Sequence, residues 1–466
     1  MARLVNTPFE RLTVGMTAEA HRLCVADDLY IFAHASGNLN PMHLPERDGD
    51  GDGQVEAFAP SMWVGALISA VLGNQLPGPG TLYLSQTLTF VDRAQAGDAL
   101  IASVRVAEKR AERVVRMETW VTRADGRRVA EGEALVRAPA LDQTVSIDDM
   151  PGLTVQRHVH FDRLIAEAEP LPPIPTAVVA PEEANALGGA VLAAAHTLID
   201  PILIGDRAKI KAAAEALGNP LDRLLDAYPI IDIPDHAAAA AEGVALVRKG
   251  RAKALMKGHL HTDELLGAVV KRDGGLRTGR RLSHVFVMDV PGLPHLLLVS
   301  DAAINIAPDL EAKVDITQNA IDLARALGIE TPKVGVLSAV ETVNPKIPST
   351  IDAAVLSKMA ERGQITGGLV DGPLAMDNAM DMEAAKTKGI KSMVAGRADI
   401  MIVPNLEAGN ILAKELVFAA HAEAGGLVLG AACPVILTSR ADDDKARLAS
   451  CAVAALYASW QGRSRK

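Results

Sequence analysis

The pattern of apolar residues changes part-way along the chain, and this change constrains the fold more than any single motif does. Residues 81–137 alternate strand-like and turn-like segments with no helical segment between them, which predicts an antiparallel meander. After residue 180, short β-branched runs alternate with Ala-rich helical segments, which predicts a parallel α/β sheet. The chain has 466 residues and is too long for one hydrophobic core. We therefore predict at least two domains of different fold class.

The first domain combines the meander with one apolar helix. Pro60-Ser61 precedes the helical segment 62–72, and Gly73-Asn74 follows it, as expected for the two ends of a helix. The strand-like segments are residues 81–92, 99–109, 114–123 and 128–136. One long buried helix wrapped by an antiparallel sheet is the α+β hot-dog arrangement, which we predict for residues 1–140.

A Pro-rich segment separates this domain from the α/β region. Glu169-Pro-Leu-Pro-Pro-Ile-Pro175 has the composition of a stiff linker. We predict a linker over residues 141–178 and an α/β domain over residues 179–466. The strand-like segments of that domain include residues 285–290, 333–337 and 400–403, and its helix-like segments include 315–327 and 351–362.

Composition and charge limit the class of protein. The net charge of −10 argues against general nucleic-acid binding. No apolar run is long enough to span a bilayer, and the first residues show no secretory signal. Cys24, Cys433 and Cys451 lack metal-site spacing, and such a sparse, odd set suits reduced thiols. We therefore predict a cytoplasmic protein that binds neither nucleic acid nor a membrane.

One strand-like run near the C-terminus leads directly to polar residues. The apolar run from Pro434 ends at Ser439-Arg440, and Asp442–Asp444 open the next helical segment. Ligands of open α/β sheets bind outside the carboxyl ends of strands, and arginine forks well onto phosphate oxygens. These residues therefore indicate an anion-binding strand end. A buried strand followed by an Asp-capped helix is an equally good interpretation of the same residues.

Three further segments place polar residues at or just after predicted strands: Lys257-Gly-His-Leu-His-Thr-Asp263, Asp371-Gly-Pro-Leu-Ala-Met-Asp377, and Pro404-Asn-Leu-Glu-Ala-Gly-Asn410 with Lys414. His259, His261 and Asp263 have a spacing that metal ligands can adopt, but no further ligand is evident, so we predict no metal site. Alternative interpretations are a turn at Asp371-Gly-Pro and a helix cap at Gly409-Asn410.

Together these segments resemble the phosphate acetyl/butyryltransferases from about residue 180 to the end. Asp301-Ala-Ala-Ile-Asn305 with Pro308, and Val394-Ala-Gly396 before Asp399, belong to the same resemblance. Lys257–Glu264 and Leu276–His284 are closer to the butyryl branch. The resemblance implies two α/β subdomains that enclose a cleft. It also implies the reaction of acyl-CoA with phosphate to give acyl phosphate and coenzyme A, with coenzyme A as a substrate and no tightly bound cofactor.

The resemblance implies roles for individual residues. Arg440 would hold phosphate, and Ser439 would hydrogen-bond the reacting sulfur or the developing oxyanion. Asp443 or Asp444 would take the proton of the coenzyme A thiol. Leu265-Leu266 stand where other phosphotransacetylases carry an arginine. The resemblance therefore implies that another basic residue makes the second contact with phosphate or coenzyme A. The substrate-binding candidates are Arg277, Arg280, Arg281, Thr262, Asn410 and Lys414.

A second resemblance covers roughly residues 10–140. Ser36-Gly-Asn-Leu-Asn-Pro-Met-His43 is similar to the signature of the MaoC-like, R-specific enoyl-CoA hydratases. In that family an Asp and a His flank the water that is added to the substrate. His43 occupies the His position, but Asn38 occupies the Asp position, and an amide cannot accept a proton at neutral pH. Ser61 retains a backbone N–H that can serve as an oxyanion donor.

We therefore predict a phosphate acyltransferase fused to a hydratase-like domain that is weak or inactive. One alternative is a bifunctional enoyl-CoA hydratase and phosphate acetyltransferase. Another is a non-catalytic acyl-CoA sensor. We expect a homo-oligomer, a dimer or larger, that acts on acyl-CoA, phosphate and acyl phosphate.

Overall fold

The computed structural model describes residues 2–147, 152–218, 227–437 and 444–464. The chain divides into two compact units, Met1–Val155 and Gln156–Lys466. Within the described ranges, no helix is long and apolar enough to cross a membrane.

The N-terminal unit has seven strands and two α-helices within its described residues. The strands are β1 (Ala2–Val5), β2 (Thr17–Leu23), β3 (Leu82–Phe90), β4 (Ala99–Lys109), β5 (Val114–Arg123), β6 (Arg128–Arg137) and β7 (Thr144–Ile147). The helices are α1 (Ala26–Ser36) and α2 (Ser61–Asn74). Five strands form an antiparallel sheet in the order β2-β4-β5-β6-β3, and β1 pairs with β7.

The core of this unit lies between α2 and the five-stranded sheet. One side of α2 buries Trp63, Val64, Ile68, Val71 and Leu72 against apolar side chains of β4, β5 and β6. Buried and partly buried residues alternate along β5, as expected for a sheet with one face in the core. The predicted hot-dog arrangement is confirmed, and its helix and strands begin and end within a few residues of the predicted positions.

The C-terminal unit contains eleven strands and eleven helices in the part of the chain that the structure describes. The strands are β8 (Ile174–Val179), β9 (Ile199–Gly205), β10 (Ile230–Asp232), β11 (Ala254–Lys257), β12 (Ser283–Asp289), β13 (Leu297–Ser300), β14 (Lys333–Leu337), β15 (Leu369–Leu374), β16 (Ile400–Ile402), β17 (Glu423–Leu429) and β18 (Val435–Ile436). The helices are α3 (Val159–Ala168), α4 (Ala184–Ala195), α5 (Arg207–Ala216), α6 (His236–Arg248), α7 (Thr262–Val270), α8 (Leu310–Ala326), α9 (Pro348–Glu361), α10 (Met376–Met380), α11 (Met382–Thr387), α12 (Leu406–Phe418) and α13 (Asp444–Ser464).

The linker predicted over residues 141–178 differs from the structure. This range contains β7, α3 and most of β8, and the two units divide between Val155 and Gln156. Pro175 lies near the start of β8, a strand position at which proline is tolerated. The Pro-rich composition therefore marks the entry into the sheet rather than a free linker.

All eleven strands of this unit form one sheet in the order β10-β9-β8-β11-β18-β17-β12-β13-β16-β14-β15. The two ends of the sheet are parallel, as predicted, but β17 is antiparallel to β18 and β12, and β12 is antiparallel to β13. The prediction of a wholly parallel sheet is therefore wrong at its centre. The two parallel halves correspond to the two subdomains that the family resemblance implied.

The two faces of this sheet carry different apolar clusters. One face carries a continuous core with Val178, Met256, Val285, Leu427 and Ile402 among its members. The other face carries two separate clusters. The first outer cluster includes Val179, Ile204, Leu255, Val428 and Val435, and the second outer cluster includes Met288, Leu297, Val299, Leu374 and Met401. Near the centre of the sheet, the outer face therefore has a divide, which is the boundary between the first and second outer clusters.

Candidate active site

The topology of the first parallel half places a crevice at the carboxyl ends of β8 and β11. The chain runs from β8 to β9 and β10 on one side and then crosses to β11 on the other side of β8. In an open α/β sheet, ligands bind in the crevice where the strand order reverses in this way. Residues 180–183 and 258–261, which follow the two strands, are therefore candidates for ligand contacts.

Backbone contacts hold these two loops together. His259 N donates a hydrogen bond to the carbonyl oxygen of Ala180 at 2.6 Å. A Cβ atom at Gly258 would lie only 2.3 Å from the same oxygen. Position 258 therefore requires glycine if the loops are to approach this closely.

A buried carboxylate, Glu182, lies in the loop after β8. Its side chain is 2% exposed and accepts hydrogen bonds from Asp206 N at 3.0 Å, Lys209 Nζ at 3.0 Å and His236 Nε2 at 3.1 Å. Burial raises the pKa of Glu182, but these three donors outweigh that effect and hold the pKa below its usual value. Glu182 ties β8 to the beginnings of α5 and α6. The sequence analysis missed it, because the segment before it was predicted to be a linker, whereas the structure has β8 there.

Lys257 and His259 occupy the loop after β11. Lys257 is buried, and its Nζ donates to the carbonyl oxygen of Gly258 at 3.2 Å. His259 Nδ1 lies 2.8 Å from Oε2 of Glu183. His259, one of the three residues with a spacing that metal ligands can adopt, therefore lies next to Glu183 of the β8 loop.

Thr262 begins α7, and the start of this helix follows the same crevice loop. The Glu264 side chain accepts a hydrogen bond from His261 N at 3.0 Å, which satisfies one of the free donors at the helix start. Thr262 is half-buried. This predicted substrate-binding residue therefore lies next to the crevice, at the positive end of the helix dipole.

The strand that leads to the predicted catalytic residues lies directly beside β11. β18 and β11 pair in parallel, so both segments leave the sheet at the same edge. Ser439, Arg440 and Asp443 follow β18 and lie outside the described residues. Asp444 is the first residue of α13; it is exposed, and its Oδ1 lies 3.5 Å from Nη1 of Arg447.

A second set of polar residues follows β13. Asp301 is buried, and its carboxylate accepts hydrogen bonds from the backbone N–H groups of residues 303–305 at 2.9–3.1 Å. Asn410, in the first turns of α12, donates from Nδ2 to the carbonyl oxygen of Ala302 at 3.2 Å. Asn405, not Gly409-Asn410, caps this helix through a bond from Ala408 N at 2.9 Å.

The three loops pack on one apolar cluster. Leu260 of the β11 loop, Ile304 of the β13 loop and Leu437 at the end of β18 all belong to or pack against the first outer cluster. Motifs that are far apart in the sequence therefore pack on the same apolar cluster.

Both units of the chain resemble known protein families. Residues 235–455 match the family model described as "Phosphate acetyl/butaryl transferase", and residues 13–132 match "FAS1-like, dehydratase domain region". The chain is 60% identical over 298 residues to a phosphate acetyltransferase of Rhizobium meliloti, an alignment that covers 64% of this chain and 93% of that protein. The chain belongs to the phosphate acetyl/butyryl transferase family.

Two further relatives extend this finding. A phosphate butyryltransferase of Clostridium acetobutylicum is 44% identical over 261 residues, which cover 56% of the transferase described here and 85% of the relative. The crystal structure of a branched-chain phosphotransacylase from Enterococcus faecalis V583 superposes with a TM-score of 0.53 at 31% identity, covering 61% of this chain and 99% of that chain. The predicted family of the C-terminal unit and its fold are confirmed.

The segment with the three predicted clamp arginines of the transferase also packs on the first outer cluster, through Leu276 and Leu282, and Leu282 O accepts a hydrogen bond from Asn305 Nδ2 of the β13 loop at 2.8 Å. Arg277, Arg280 and Arg281 are exposed and precede β12. β12 and β18 are both antiparallel to β17, so the amino end of β12 lies at the opposite edge of the sheet from the carboxyl end of β11. Arg280 forms an ion pair with Asp322 at 2.5 Å. Lys414 is exposed on α12.

The second predicted acidic segment of the transferase lies in the other parallel half. Asp371-Gly-Pro is part of the edge strand β15, so the alternative interpretation as a turn is wrong. The carboxylate of Asp371 accepts a hydrogen bond from Gly372 N at 2.8 Å. Asp377 is exposed and lies 3.6 Å from Lys388 Nζ.

The N-terminal unit contains a separate pocket of about 220 Å³ lined by His43, Ser61, Phe90 and Asp92 among others. His43 Nδ1 lies 2.9 Å from the carbonyl oxygen of Phe58. A carbonyl oxygen can only accept, so Nδ1 carries the proton, and Nε2 of the neutral ring is left as an acceptor. The pocket thus holds an oriented imidazole next to the start of α2.

Asn38 and Asp92 differ in their relation to this pocket. Asn38 is exposed, and its Oδ1 accepts a hydrogen bond from Asn40 N at 3.3 Å. Asp92 lines the pocket and accepts from Arg93 N at 2.8 Å and from Arg123 Nη1 at 2.6 Å. The bond from Arg93 N, with the nearby Arg123 charge, holds the pKa of Asp92 below its usual value. The sequence analysis missed this carboxylate because it lies 49 residues after His43, the last residue of the hydratase-like motif.

Proposed function

We propose that residues 156–466 catalyse the reversible transfer of a short acyl group between coenzyme A and phosphate. The observation that carries this proposal is the position of β18, which leads to Ser439-Arg440, directly beside the crevice at β8 and β11. The identity to a phosphate acetyltransferase over 93% of that protein supports it.

The chemistry is an attack on a carbonyl carbon. A phosphate oxygen attacks the thioester carbon of acyl-CoA, a C–O bond forms, the C–S bond breaks, and coenzyme A leaves as a thiolate that takes up a proton. In the reverse direction, the thiolate attacks acyl phosphate and phosphate leaves. Arg440 binds phosphate oxygens, since a guanidinium matches them with two parallel hydrogen bonds. Ser439 hydrogen-bonds the sulfur or the oxyanion.

An acid after this pair completes the proposed site. Asp443 or Asp444 accepts the thiol proton in the reverse direction, because the thiolate is the nucleophilic form. Thr262 and Asn410 contact the substrate, since Thr262 follows the β11 loop and Asn410 is hydrogen-bonded to the β13 loop. Arg277, Arg280, Arg281 and Lys414 are solvent-accessible cations that can contact the phosphates of coenzyme A. Coenzyme A acts as a substrate and not as a resident cofactor.

Thiol titration of the purified full chain tests this proposal. Acetyl-, propionyl- and butyryl-CoA should each be offered with and without phosphate. Release of coenzyme A that requires phosphate supports acyl transfer. Release with none of the three substrates would favour a non-catalytic acyl-CoA sensor.

For the N-terminal unit we propose binding of acyl-CoA thioesters with little hydration. His43 is oriented and Ser61 begins α2, but the position of the family Asp holds Asn38. Loss of a general base typically lowers a rate by ~10²–10⁴. Asp92 does not restore this function. Its carboxylate accepts hydrogen bonds from Arg93 N and Arg123 Nη1, and these bonds stabilise the charged form and make it a weak base.

We further propose a cytoplasmic homo-oligomer. The three cysteines are buried free thiols, which suits a reducing compartment. The edge strand β3 exposes Leu82, Tyr83 and Leu84, and an exposed apolar edge favours pairing with a second copy. Removing residues 1–155 should then lower the number of chains per particle, which light scattering measures as the molar mass of the particle divided by the mass of one chain.

A further inference from the structure

His284 is a buried histidine on β12 that none of these roles uses. It is 3% exposed, and its Nδ1 has no hydrogen-bond partner within the described part of the chain. A buried polar atom without a partner destabilises the fold, so its presence in a packed sheet calls for a functional explanation.

Side-chain alternation places His284 on the same face of the sheet as Lys257. Val285 belongs to the continuous core, so His284, the preceding residue, points to the outer face. Met256 also belongs to the continuous core, so Lys257 points to the outer face as well. Both residues therefore face the side that carries the two outer clusters.

The absence of a side chain at Gly426 leaves room for the imidazole itself. Gly426 lies on β17 and pairs with Phe286 of β12. Across β18, Gly426 is two strand spacings, roughly 10 Å, from Lys257 of β11. A Cβ atom at Gly426 would lie 2.8 Å from Cε1 and 3.0 Å from Nε2 of His284. His284 pairs with Val428 of the first outer cluster, and Phe286 packs against the second. The imidazole therefore lies at the divide between the two clusters.

The backbone of His284 is fixed on both sides by the β13 segment. Its N–H donates to Asp301 Oδ1 at 3.3 Å, and its carbonyl oxygen accepts from Ser300 Oγ at 2.9 Å. Burial lowers the pKa of His284 to about 4, although the Asp301 carboxylate opposes this shift. The ring is therefore neutral at pH 7 and carries one donor and one acceptor nitrogen. A neutral donor suits an uncharged carbonyl oxygen better than a phosphate dianion.

We propose that His284 is a catalytic residue that donates a hydrogen bond from Nδ1 to the acyl carbonyl oxygen of bound acyl-CoA or acyl phosphate. This inference rests on the proposed acyl transfer. The carbonyl oxygen gains negative charge as the phosphate oxygen or the thiolate attacks, so the hydrogen bond strengthens in the transition state. A neutral imidazole can polarise a carbonyl in this way without giving up its proton. The bonds made and broken remain those of the transfer itself.

Two variants of similar shape test this role in the full chain. His284→Asn keeps an N–H near the position of Nδ1, whereas His284→Leu has no donor. His284→Leu should lower kcat by ~10²–10³, the usual cost of one oxyanion donor, with KM for phosphate unchanged. His284→Asn should retain most of that rate. Equal kcat in the two variants would overturn the proposal.

A binding measurement gives a second readout that does not depend on turnover. The probes are the ketone analogue of acetyl-CoA, in which CH2 replaces sulfur, and S-ethyl-CoA, which lacks the carbonyl. The unaltered protein should bind the ketone about 2–10-fold more tightly than the thioether, the usual worth of one hydrogen bond. This preference should disappear in His284→Leu and persist in His284→Asn.

The two readouts separate the failure of this inference from failure of the proposed function. A ketone preference that is the same in His284→Leu and the unaltered protein would overturn the carbonyl contact. If the unaltered protein shows no phosphate-dependent release of coenzyme A while the preference still requires His284, acyl transfer fails and the carbonyl contact stands. If His284→Leu does not fold, Gly426→Ala replaces it, because the added Cβ displaces the imidazole without changing its chemistry. An unchanged ketone preference in Gly426→Ala would then count against the proposal.

Discussion

The Nδ1 atom of His43 lies 2.9 Å from the carbonyl oxygen of Phe58, so the imidazole of the N-terminal pocket is held in one tautomer with Nε2 as an acceptor. The carboxylate that would accompany this histidine is absent, because Asn38 occupies its position in the motif. We predict that the unaltered protein hydrates crotonyl-CoA weakly and that Asn38→Asp raises the rate by ~10²–10⁴. Absorbance of the enoyl thioester measures the reaction.

His43→Ala is the control for this prediction and should abolish the gain in the Asn38→Asp background. Efficient hydration by the unaltered protein that His43→Ala removes would contradict our interpretation of Asn38. In that case, Asp92→Asn would show whether the pocket carboxylate serves as the base.

Arg440 should determine phosphate binding. Arg440→Ala removes a charge-assisted contact worth about 1.5–3 kcal/mol, so kcat/KM for phosphate should fall about 10–150-fold. Steady-state kinetics with varied phosphate measure this change. Arg163→Ala is a matched control, because Arg163 is an exposed arginine of α3 that pairs with the exposed Glu167. Equal kinetics for the two variants would remove Arg440 from the site.

Glu182 should stabilise the C-terminal unit in a pH-dependent manner. Glu182→Gln weakens three hydrogen bonds to a buried carboxylate, and we expect the free energy of unfolding to fall by about 1–3 kcal/mol at pH 7. The pKa of Glu182 is lowered in the folded state, so its stabilisation is complete above the unfolded pKa of roughly 4.3 and is lost as the pH falls through the folded value.

Urea unfolding at several pH values measures this effect. The stability difference between the unaltered protein and Glu182→Gln should be constant from pH 7 to about pH 5 and should shrink below that. Glu215→Gln, a change at an exposed glutamate of α5, should have little effect at any pH. A difference for Glu182→Gln that grows at acid pH would contradict the assigned sign.

The cysteines should not interfere with thiol assays. Burial raises the pKa of Cys24, Cys433 and Cys451 to about 12 in each case, so their thiolate fractions at pH 8 are very small. Titration of the native protein with a disulfide reagent should give no rapid reaction, and three thiols per chain should react in denaturant. Rapid labelling of one thiol in the native protein would show that one of these sites opens.

The strands of the hot-dog unit were predictable because turn residues bound them. The turn Gln95–Asp98 lies between β3 and β4, and the turn Ala124–Arg127 lies between β5 and β6. The long apolar helix α2 precedes all four of these strands. The antiparallel centre of the C-terminal sheet also had a signal that was not used. Only five residues join β17 to β18, and parallel neighbours need a crossover of about a dozen residues or more.

The candidate site was predictable in part. Thr262 and Asn410 lie in the first turns of helices that follow strands, and the sequence was enough to place both near strand ends. The roles of Glu182 and His284 could not, because each depends on contacts formed only in the fold. Glu182 meets Asp206 and His236, which are 24 and 54 residues away. The burial of His284 arises from neighbouring strands whose pairing the sequence does not reveal.

The most direct test of the account is phosphorus NMR of the full chain incubated with butyryl-CoA and phosphate. We predict that a new acyl phosphate resonance appears at the same rate as free coenzyme A thiol, and that it is lost in Arg440→Ala. Release of coenzyme A without acyl phosphate, with free butyrate as the product, would identify a thioesterase and contradict the assignment of phosphate as the acyl acceptor.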